Sequence, residues 1–302
     1  MTDYIRQHST YVQFPINYSW VILSPIEERI KAKIEQVGIP LRDWEISINY
    51  GIKTGCNEAF IINSEKRNEL IEKDAKSAEI IRPILRGRDI ARYQVNFADL
   101  YLINTHNGIP LKNIPPIDIE KYPAIKEHLV KYWIKIKNRD DQGITPFNLR
   151  SCAYMDDFSK LKIVWKRVGS ILRFCYDDKK YFALDSTCFA IGSHLKYLLA
   201  YLNSAIGHYL LQDAPKTGTG DLLISVQALE PILIPIISEK DEQIIKTLTD
   251  NILSFNNINK KEIENEINMQ IFKLLDLDKI EIEYILKYIK IDNNEYFIRL
   301  LY

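Results

Sequence analysis

One short segment has the residue types of a metal-dependent active site. Nucleases of that class need clustered carboxylates and a lysine, which bind Mg²⁺ and activate a water molecule. Asp177-Asp178-Lys179-Lys180 has this composition. The same segment stands between two strand-like stretches, where a turn of polar residues is expected. We favour the turn and keep a small Mg²⁺-dependent nuclease, using Asp177, Asp178 and Lys180, as an alternative.

Other catalytic patterns are incomplete. An adenine methyltransferase needs a glycine-rich loop for S-adenosylmethionine and an Asn/Asp-Pro-Pro-aromatic tetrapeptide. Asn113-Ile114-Pro115-Pro116 has an inserted isoleucine and predicts a rigid turn, and Gly218-Thr219-Gly220 lacks the third glycine of a dinucleotide fingerprint. The five histidines have no HxH or HExxH spacing, and the four cysteines form no CxxC pair. We therefore expect no complete catalytic site, cofactor or metal in this chain.

The charges balance overall but are uneven along the chain. The 302 residues include 40 Lys+Arg and 40 Asp+Glu. Residues 1–220 hold 31 basic and 25 acidic residues, a net charge of +6, whereas residues 221–302 hold 9 and 15, a net charge of −6. Residues 82–173 hold 17 basic and 9 acidic residues, a net charge of +8. This distribution predicts a cationic surface that suits a polyanion, joined to a more acidic segment.

A loop between two glycines is the first candidate anion site. Lys53 and Thr54 lie between Gly51 and Gly55. Glycine lets the backbone come close to a phosphate or to the edge of a base. A plain hairpin is the alternative.

An arginine-rich segment is the second candidate. Arg82, Arg86 and Arg88 can each pair with two acceptor atoms of a phosphate or a guanine. Asp89 could instead bind one of these arginines inside the fold. Further cations continue the basic stretch: Arg139, Arg150, Lys166, Arg167 and Arg173. The last three surround the predicted hairpin. Because side chains alternate along strands, we expect about half of them to face away from the DNA.

Helical signals are clearest near residue 24 and after residue 236. Ser24 and Glu27 form a capping-box pattern around Pro25, and Gly38 ends the apolar stripe. Ser238 with Asp241 predicts a second N-terminus. Apolar periodicity predicts helices over residues 24–37, 122–136, 195–210, 238–252 and 263–274. The stripe of the second includes Ile125, Leu129, Trp133 and Ile136.

Strand signals occupy the middle of the chain. Residues 44–50 alternate, break at residues 51–55 and resume at residues 59–62, which predicts a strand, a loop and a strand. Residues 162–191 predict three meandering antiparallel strands with turns at Gly169-Ser170 and at residues 177–180. No apolar run approaches the roughly 18 residues that span a bilayer, and no signal-peptide core follows the first methionine, so we expect a cytoplasmic protein.

Several blocks follow one another in a specific order: residues 20–27 (WVILSPIE), 49–62 (NYGIKTGCNEAFII), 81–90 (IRPILRGRDI), 122–129 (YPAIKEHL), 139–140 (RD) and 148–150 (NLR). They resemble the TaqI-like C-terminal specificity domain of type IIG restriction-modification enzymes. The later blocks resemble the end of a specificity-subunit recognition domain and its spacer helix: residues 201–204 (YLNS), 234–236 (IPI) and 263–267 (IENEI). Two positions depart from the family pattern. Pro146-Phe147 stands where an aromatic pair is common, and Cys56 stands where another residue type is often found.

The resemblance implies a mixed α/β target recognition domain over residues 1–235, with antiparallel strands and flanking helices, followed by helical spacer residues 236–302. It implies sequence-specific binding of double-stranded DNA. An adenine-N6 methyltransferase, with or without a nuclease, would lie elsewhere in the parent polypeptide of a phage-defence enzyme. S-adenosylmethionine, and Mg²⁺ where the parent cleaves DNA, would belong to those other domains.

The expected DNA-binding residues are Lys53, Thr54, Asn57, Arg82, Arg86, Arg88, Arg139, Arg150, Lys166, Arg167, Arg173, Lys216 and Thr217. Phosphate contacts from the basic stretch should supply most of the affinity, while arginine, asparagine and threonine side chains on loops read base edges. A scaffold that docks on a methyltransferase and touches DNA weakly is a further alternative.

Overall fold

A computed structural model describes residues 23–254 and 260–289, so residues 20–22 of the first family block lie outside it. The fold is mixed α/β, as the sequence predicts. Its α-helices are α1 (Pro25–Val37), α2 (Asn57–Phe60), α3 (Ser64–Lys73), α4 (Pro123–Val130), α5 (Trp133–Ile136), α6 (Leu195–Asn203), α7 (Ala205–Leu211), α8 (Val226–Leu229), α9 (Glu239–Ser254), α10 (Lys260–Leu274) and α11 (Lys279–Tyr288).

The strands are β1 (Gly38–Pro40), β2 (Ile46–Tyr50), β3 (Ile61–Asn63), β4 (Ile81–Leu85), β5 (Ile90–Ala91), β6 (Gln94–Val95), β7 (Leu100–Ile103), β8 (Lys162–Lys166), β9 (Val168–Gly169), β10 (Phe174–Asp177), β11 (Phe182–Ala183), β12 (Thr187–Gly192), β13 (Leu222–Leu223) and β14 (Leu233–Pro235). They form two larger sheets, in the orders β10-β8-β12-β2 and β11-β4-β7-β3. The strand pairs of these two sheets are antiparallel except β11 with β4.

The sheet that contains β8 is buried on both faces. Ile163 and Trp165 face a core that they share with α1 and the C-terminal helices. Val164, between them, faces a second core that includes residues of the other sheet. Because successive side chains of a strand point to opposite faces, a strand between two cores is expected to carry apolar side chains on both faces. This explains the consecutive apolar residues Ile163, Val164 and Trp165 within β8.

The first two predicted strands of residues 162–191 exist, but the third is divided and the strands do not meander: β11 pairs with β4 in the other sheet, and only β12 joins β8. β8 is the central strand, with β10 on one side and β12 on the other. Gly169-Ser170 is not a hairpin turn, because Val168 and Gly169 pair with β13 instead of turning back. The predicted turn after β10 is correct.

The segment from β2 to β3 joins the two sheets and is not a hairpin. β2 pairs with β12, whereas β3 pairs with β7. At the crossing, a Cβ on Gly51 would lie 1.9 Å from the carbonyl oxygen of Leu184, so only glycine fits. The backbone of Ile52 then donates a hydrogen bond to the carbonyl of Ala183 at 2.7 Å. Gly51 therefore serves a close approach of backbone to backbone.

Two predicted helices are each divided in the structure. Residues 131–132 separate α4 from α5, which turns Trp133 away from the core and against Phe147, with 5.4 Å between the ring centroids. Trp133 is 40% exposed, whereas Ile125, Leu129 and Ile136 are buried as predicted. Ser204 divides α6 from α7, because its hydroxyl accepts the backbone N–H of Gly207 at 3.2 Å and begins a new helix.

The helices after residue 236 pack on the core that α1 and the central sheet share. Ser238 accepts the backbone N–H of Asp241 at 3.1 Å, which confirms the predicted start of α9. The Asn268 amide oxygen accepts the N–H of Ala205 at 2.8 Å, and Lys33 donates to the buried carboxylate of Glu281 at 2.7 Å. The proposed boundary at residues 235/236 stays a prediction. No helix in residues 23–254 or 260–289 has the length and apolar character needed to cross a bilayer.

A fully buried ion pair joins β8 to β10. The Lys162 ammonium lies 2.7 Å from the Asp177 carboxylate, and both side chains are 0% exposed. Lys162 also donates to the carbonyl of Phe158 at 2.7 Å. Burial lowers the pKa of Lys162 and raises that of Asp177, and each partner opposes the shift of the other. The pair is therefore structural, since Asp177 is enclosed while Asp178 and Lys180 are exposed.

We expect Lys162→Met to lower the free energy of unfolding by about 3–5 kcal/mol, because it leaves a buried carboxylate without its partner. Asp177→Leu should cost a similar amount. The double variant should be more stable than either single variant, as measured by urea unfolding. Lys179→Ala, in the same turn but 70% exposed, is the control and should have little effect. Additive losses in the double variant would show that the two groups do not interact.

Candidate nucleic-acid interface

A basic cleft of about 430 Å³ opens beside the end of β2. Residues 50–53, residues 150–154, Arg167 and Asp185 line it. Lys53 and Arg150 stand in its wall with side chains 51% and 57% exposed. The cleft thus gathers three of the cations that the sequence analysis predicted, although their segments lie far apart in the chain.

The loop that carries Lys53 is fixed from inside. The Thr54 hydroxyl donates to the Asn57 amide oxygen at 2.6 Å and accepts the N–H of Cys56 at 3.2 Å. Gly55 has φ +67°, and a Cβ added to it would lie 3.0 Å from the Cβ of Asp141, so the loop packs closely against Asp141. The structure therefore places Thr54 inside the protein, at 1% exposure, while Lys53 and Asn57 remain exposed.

Arg139 is enclosed, contrary to its predicted place on the DNA-binding surface. The residue is only 6% exposed, and its guanidinium carbon lies 4.5 Å from the centroid of the Phe60 ring. Burial lowers its pKa to about 10. The guanidinium donates to the carbonyl oxygens of Thr54, Asp141, Pro146 and Asn148. Arg139 therefore joins the Lys53 loop to residues 141–148.

Arg86 and Arg88, in the arginine-rich turn, have different environments. Asp89 accepts hydrogen bonds from Arg86 Nε at 3.0 Å, from Arg86 Nη2 at 2.8 Å and from the Arg86 backbone at 2.8 Å. The hydrogen bonds to Asp89 raise the pKa of Arg86. Asp89 therefore holds Arg86, the internal pairing that the sequence left open. Arg88 is exposed and makes no hydrogen bond or ion pair within the described part of the chain.

Ser186 connects this turn to the cleft. Its hydroxyl accepts the N–H of Gly87 at 3.0 Å, and its carbonyl accepts the N–H of Arg167 at 3.0 Å. The exposed Lys166 lies over Gly87, where its Cγ is 2.8 Å from the position of an added Cβ. Lys166 therefore lies against the turn that carries Arg88, and the next residue in the chain, Arg167, lines the cleft.

The loop with Lys216 and Thr217 attaches to the same region. Lys216 bridges to Leu222, whose strand β13 pairs with β9 directly after Lys166 and Arg167. Thr217 accepts the N–H of Gly220 at 2.9 Å through its backbone. This loop extends the basic surface, which we define as Lys53, Arg88, Arg150, Lys166, Arg167 and Lys216.

Two further predicted cations, Arg82 and Arg173, are not brought into this basic surface by any contact among the described residues. The Arg82 guanidinium donates to the carbonyl oxygens of Ile81 at 3.0 Å and Glu79 at 2.6 Å, so it binds the backbone of the turn before β4. Arg173 is exposed and directly precedes β10. Both remain predictions as DNA contacts.

Sequence reasoning missed the carboxylate that organises the cleft. Asp141 accepts Lys53 through Oδ2 at 3.0 Å and Arg150 through Oδ1 at 3.2 Å. Its place directly after the Arg139-Asp140 block was the one signal that could have indicated it. In the described residues, no group of three His, Cys, Asp or Glu side chains could hold a metal ion.

The chain matches the family model of the TaqI-like C-terminal specificity domain over residues 82–232, which is 151 of 302 residues. The chain belongs to this family. The match contains the turn with Arg88, the end of β8 with Lys166, and Arg167 directly after it, whereas Lys53 precedes the match. No curated protein matches the chain.

Two solved structures were found to match the chain, and the first shares its fold. The type IIL restriction-modification enzyme MmeI, solved in complex with DNA, matches 84% of this chain and 37% of its own, with a TM-score of 0.62 and 11% identity. The type IIG restriction endonuclease BpuSI matches 83% of this chain and 32% of its own, with a TM-score of 0.45 and 14% identity. The chain spans about a third of the length of these structures.

We expect Arg139→Met to lower the free energy of unfolding by roughly 3 kcal/mol, because several buried carbonyls lose a charged donor. Urea unfolding measures the loss. Arg150→Met is the control, since a half-exposed ion pair contributes about 0–1 kcal/mol. Equal stability of the two variants would contradict the structural role of Arg139.

Proposed function

We propose that this chain is a target recognition domain that binds double-stranded DNA in a sequence-specific manner. The observation that carries the proposal is the basic surface, which joins the cleft to the Arg88 turn in a chain of the TaqI-like specificity family. Hydrogen bonds fix the backbone of the loop that carries Lys53 and of the turn that carries Arg88. A fixed backbone suits recognition, because less conformational entropy is lost on binding.

The basic surface supports a division between affinity and sequence reading. Lys166 and Lys216 are flexible, exposed point charges that suit phosphate contacts, which dominate affinity and depend on salt. Arg88 projects from a turn that Asp89 and Ser186 fix. Its planar guanidinium can bind a phosphate or a base edge. Arg86 cannot take this role while Asp89 holds it.

We further propose that this domain directs an adenine-N6 methyltransferase located elsewhere in a parent restriction-modification enzyme, with or without a nuclease. The family membership supports this placement. MmeI, which shares the fold, is described as a restriction-modification enzyme, and the matched part is 37% of that chain. In this proposal the methyltransferase is the protein partner, and the cytoplasm is the site of action.

We expect a selection from randomised duplexes to yield a preferred sequence for the full 302-residue chain. The double variant Arg88→Gln/Lys166→Gln should bind every duplex more weakly, because it removes two exposed cations from the basic surface. It should also flatten the dependence of log affinity on log salt by roughly 0.9 for each phosphate that the variant no longer neutralises. Fluorescence anisotropy at several salt concentrations measures both effects.

The matched control is Lys240→Gln/Lys246→Gln, which removes the same charge from exposed positions of α9. Its affinity and salt dependence should stay close to those of the unchanged chain. A chain that binds only weakly and without preference would instead support the scaffold alternative.

We also expect the isolated chain neither to bind S-adenosylmethionine nor to methylate DNA, because the glycine-rich loop and the Pro-Pro-aromatic tetrapeptide are missing from its sequence. Isothermal titration calorimetry measures cofactor binding, and transfer of labelled methyl groups measures activity. Stoichiometric binding of the cofactor would overturn this part of the proposal.

A further inference from the structure

The cleft holds two cations on one carboxylate. Lys53 Nζ lies 3.0 Å from Asp141 Oδ2, and Arg150 Nη1 lies 3.2 Å from Asp141 Oδ1. Asp141 is 8% exposed, whereas both cations are more than half exposed. The carboxylate therefore holds the two cations from below and leaves their outer sides open to solvent.

This spacing suits an anion with two charged oxygens. A carboxylate presents two oxygens from one carbon, and a phosphodiester presents two from one phosphorus. Lysine has three N–H donors and arginine has five, so each cation keeps donors that Asp141 does not use. A phosphate can therefore bind beside Asp141 without displacing it.

The other groups of the cleft limit how much anionic charge it accepts. Arg167 lines the cleft, and its Nε is buried without a hydrogen-bond partner among the described residues. Lys53, Arg150 and Arg167 carry three positive charges, whereas Asp141 and Asp185 carry two negative ones. The difference is one positive charge. It matches the single negative charge of one phosphodiester group.

Asp141 is itself fixed. Its backbone carbonyl accepts Arg139 Nη1 at 3.0 Å, and the same nitrogen donates to the carbonyl of Thr54 at 2.5 Å. The segments that carry Lys53 and Asp141 therefore cannot separate without breaking a buried hydrogen bond.

We propose that the cleft binds one backbone phosphate of a DNA duplex through Lys53, Arg150 and Arg167, and that Asp141 is the positioning residue that sets their spacing. The proposal rests on the proposed DNA-binding function and names the ligand of this cleft. A single fixed phosphate contact sets the register of the protein along the duplex. The cleft then supports sequence recognition without contacting a base.

The test uses the full chain and its selected duplex, in which each phosphate in turn is replaced by an uncharged methylphosphonate. One position should lower affinity most. Lys53→Gln and Arg150→Gln should each lose roughly tenfold in affinity on the unmodified duplex. Neither should lose further affinity on the duplex that is modified at that position. Such double-mutant cycles show that both cations bind the same phosphate.

Lys166→Gln is the control, because it should couple to a different phosphate. Asp141→Asn separates positioning from simple repulsion. We expect it to keep or increase affinity for random duplexes while lowering the ratio of selected to random binding several-fold. Equal gains on all duplexes would reduce Asp141 to a repulsive charge and overturn its role. Thermal melting of each variant reports any loss of folding.

Failure of the cleft proposal is distinguishable from failure of the DNA-binding proposal. A chain that binds no duplex rejects DNA binding. A chain that binds its selected duplex, but in which Lys53 and Arg150 couple to different phosphates or to none, rejects the single-phosphate cleft alone. Tight binding of inorganic phosphate or a free nucleotide, without coupling to any duplex phosphate, would assign the cleft to a soluble ligand and overturn the proposal.

Discussion

The arrangement of the whole protein depends on a sheet that is buried on both faces. The β10-β8-β12-β2 sheet separates one core, shared with α1 and the C-terminal helices, from a second core that includes β4 and β7. Both faces of this sheet carry apolar side chains, so helices and a second sheet must cover them and exclude water. The crossing at Gly51 and the return to β12 at Ser186 follow from this, because the chain has to pass from one core to the other. The cleft lies where these crossings meet.

The same constraint explains how much of the fold could be predicted. The signals of α1 are local, since Ser24, Pro25, Glu27 and Gly38 lie within fifteen residues, and they predict its ends correctly. The apolar run of β8 predicts a strand for the same reason. The order of the strands depends on partners far along the chain, and a turn-like Gly169-Ser170 gives no sign that β13 will pair with this segment. Local patterns therefore identify elements, whereas the sheet order depends on which cores they must separate.

The candidate site divides in a similar way. The sequence predicts cations over residues 82–173 but cannot assign their environments. Arg139 and Arg88 have equal charge and both stand in family-like blocks, yet Arg139 meets several carbonyls inside the protein and Arg88 meets none among the described residues. The carbonyl partners belong to Thr54 and to residues 141–148, which only the folded chain brings together. The pairing of Arg86 with Asp89 was foreseeable, because a carboxylate three residues away needs no distant partner.

The balance of charges bears on how such a surface can work. With equal numbers of acidic and basic residues, the chain has no net attraction for a polyanion at long range. At physiological salt, exposed charges act over about 8 Å, so only cations that touch the duplex contribute strongly. Asp89 and Asp141 reduce the positive charge still further, and each holds its cations in a fixed geometry. A surface of this kind attracts DNA in general only weakly, and its affinity depends on how closely the duplex fits the fixed cations. Such dependence on fit increases the difference in affinity between one DNA sequence and another.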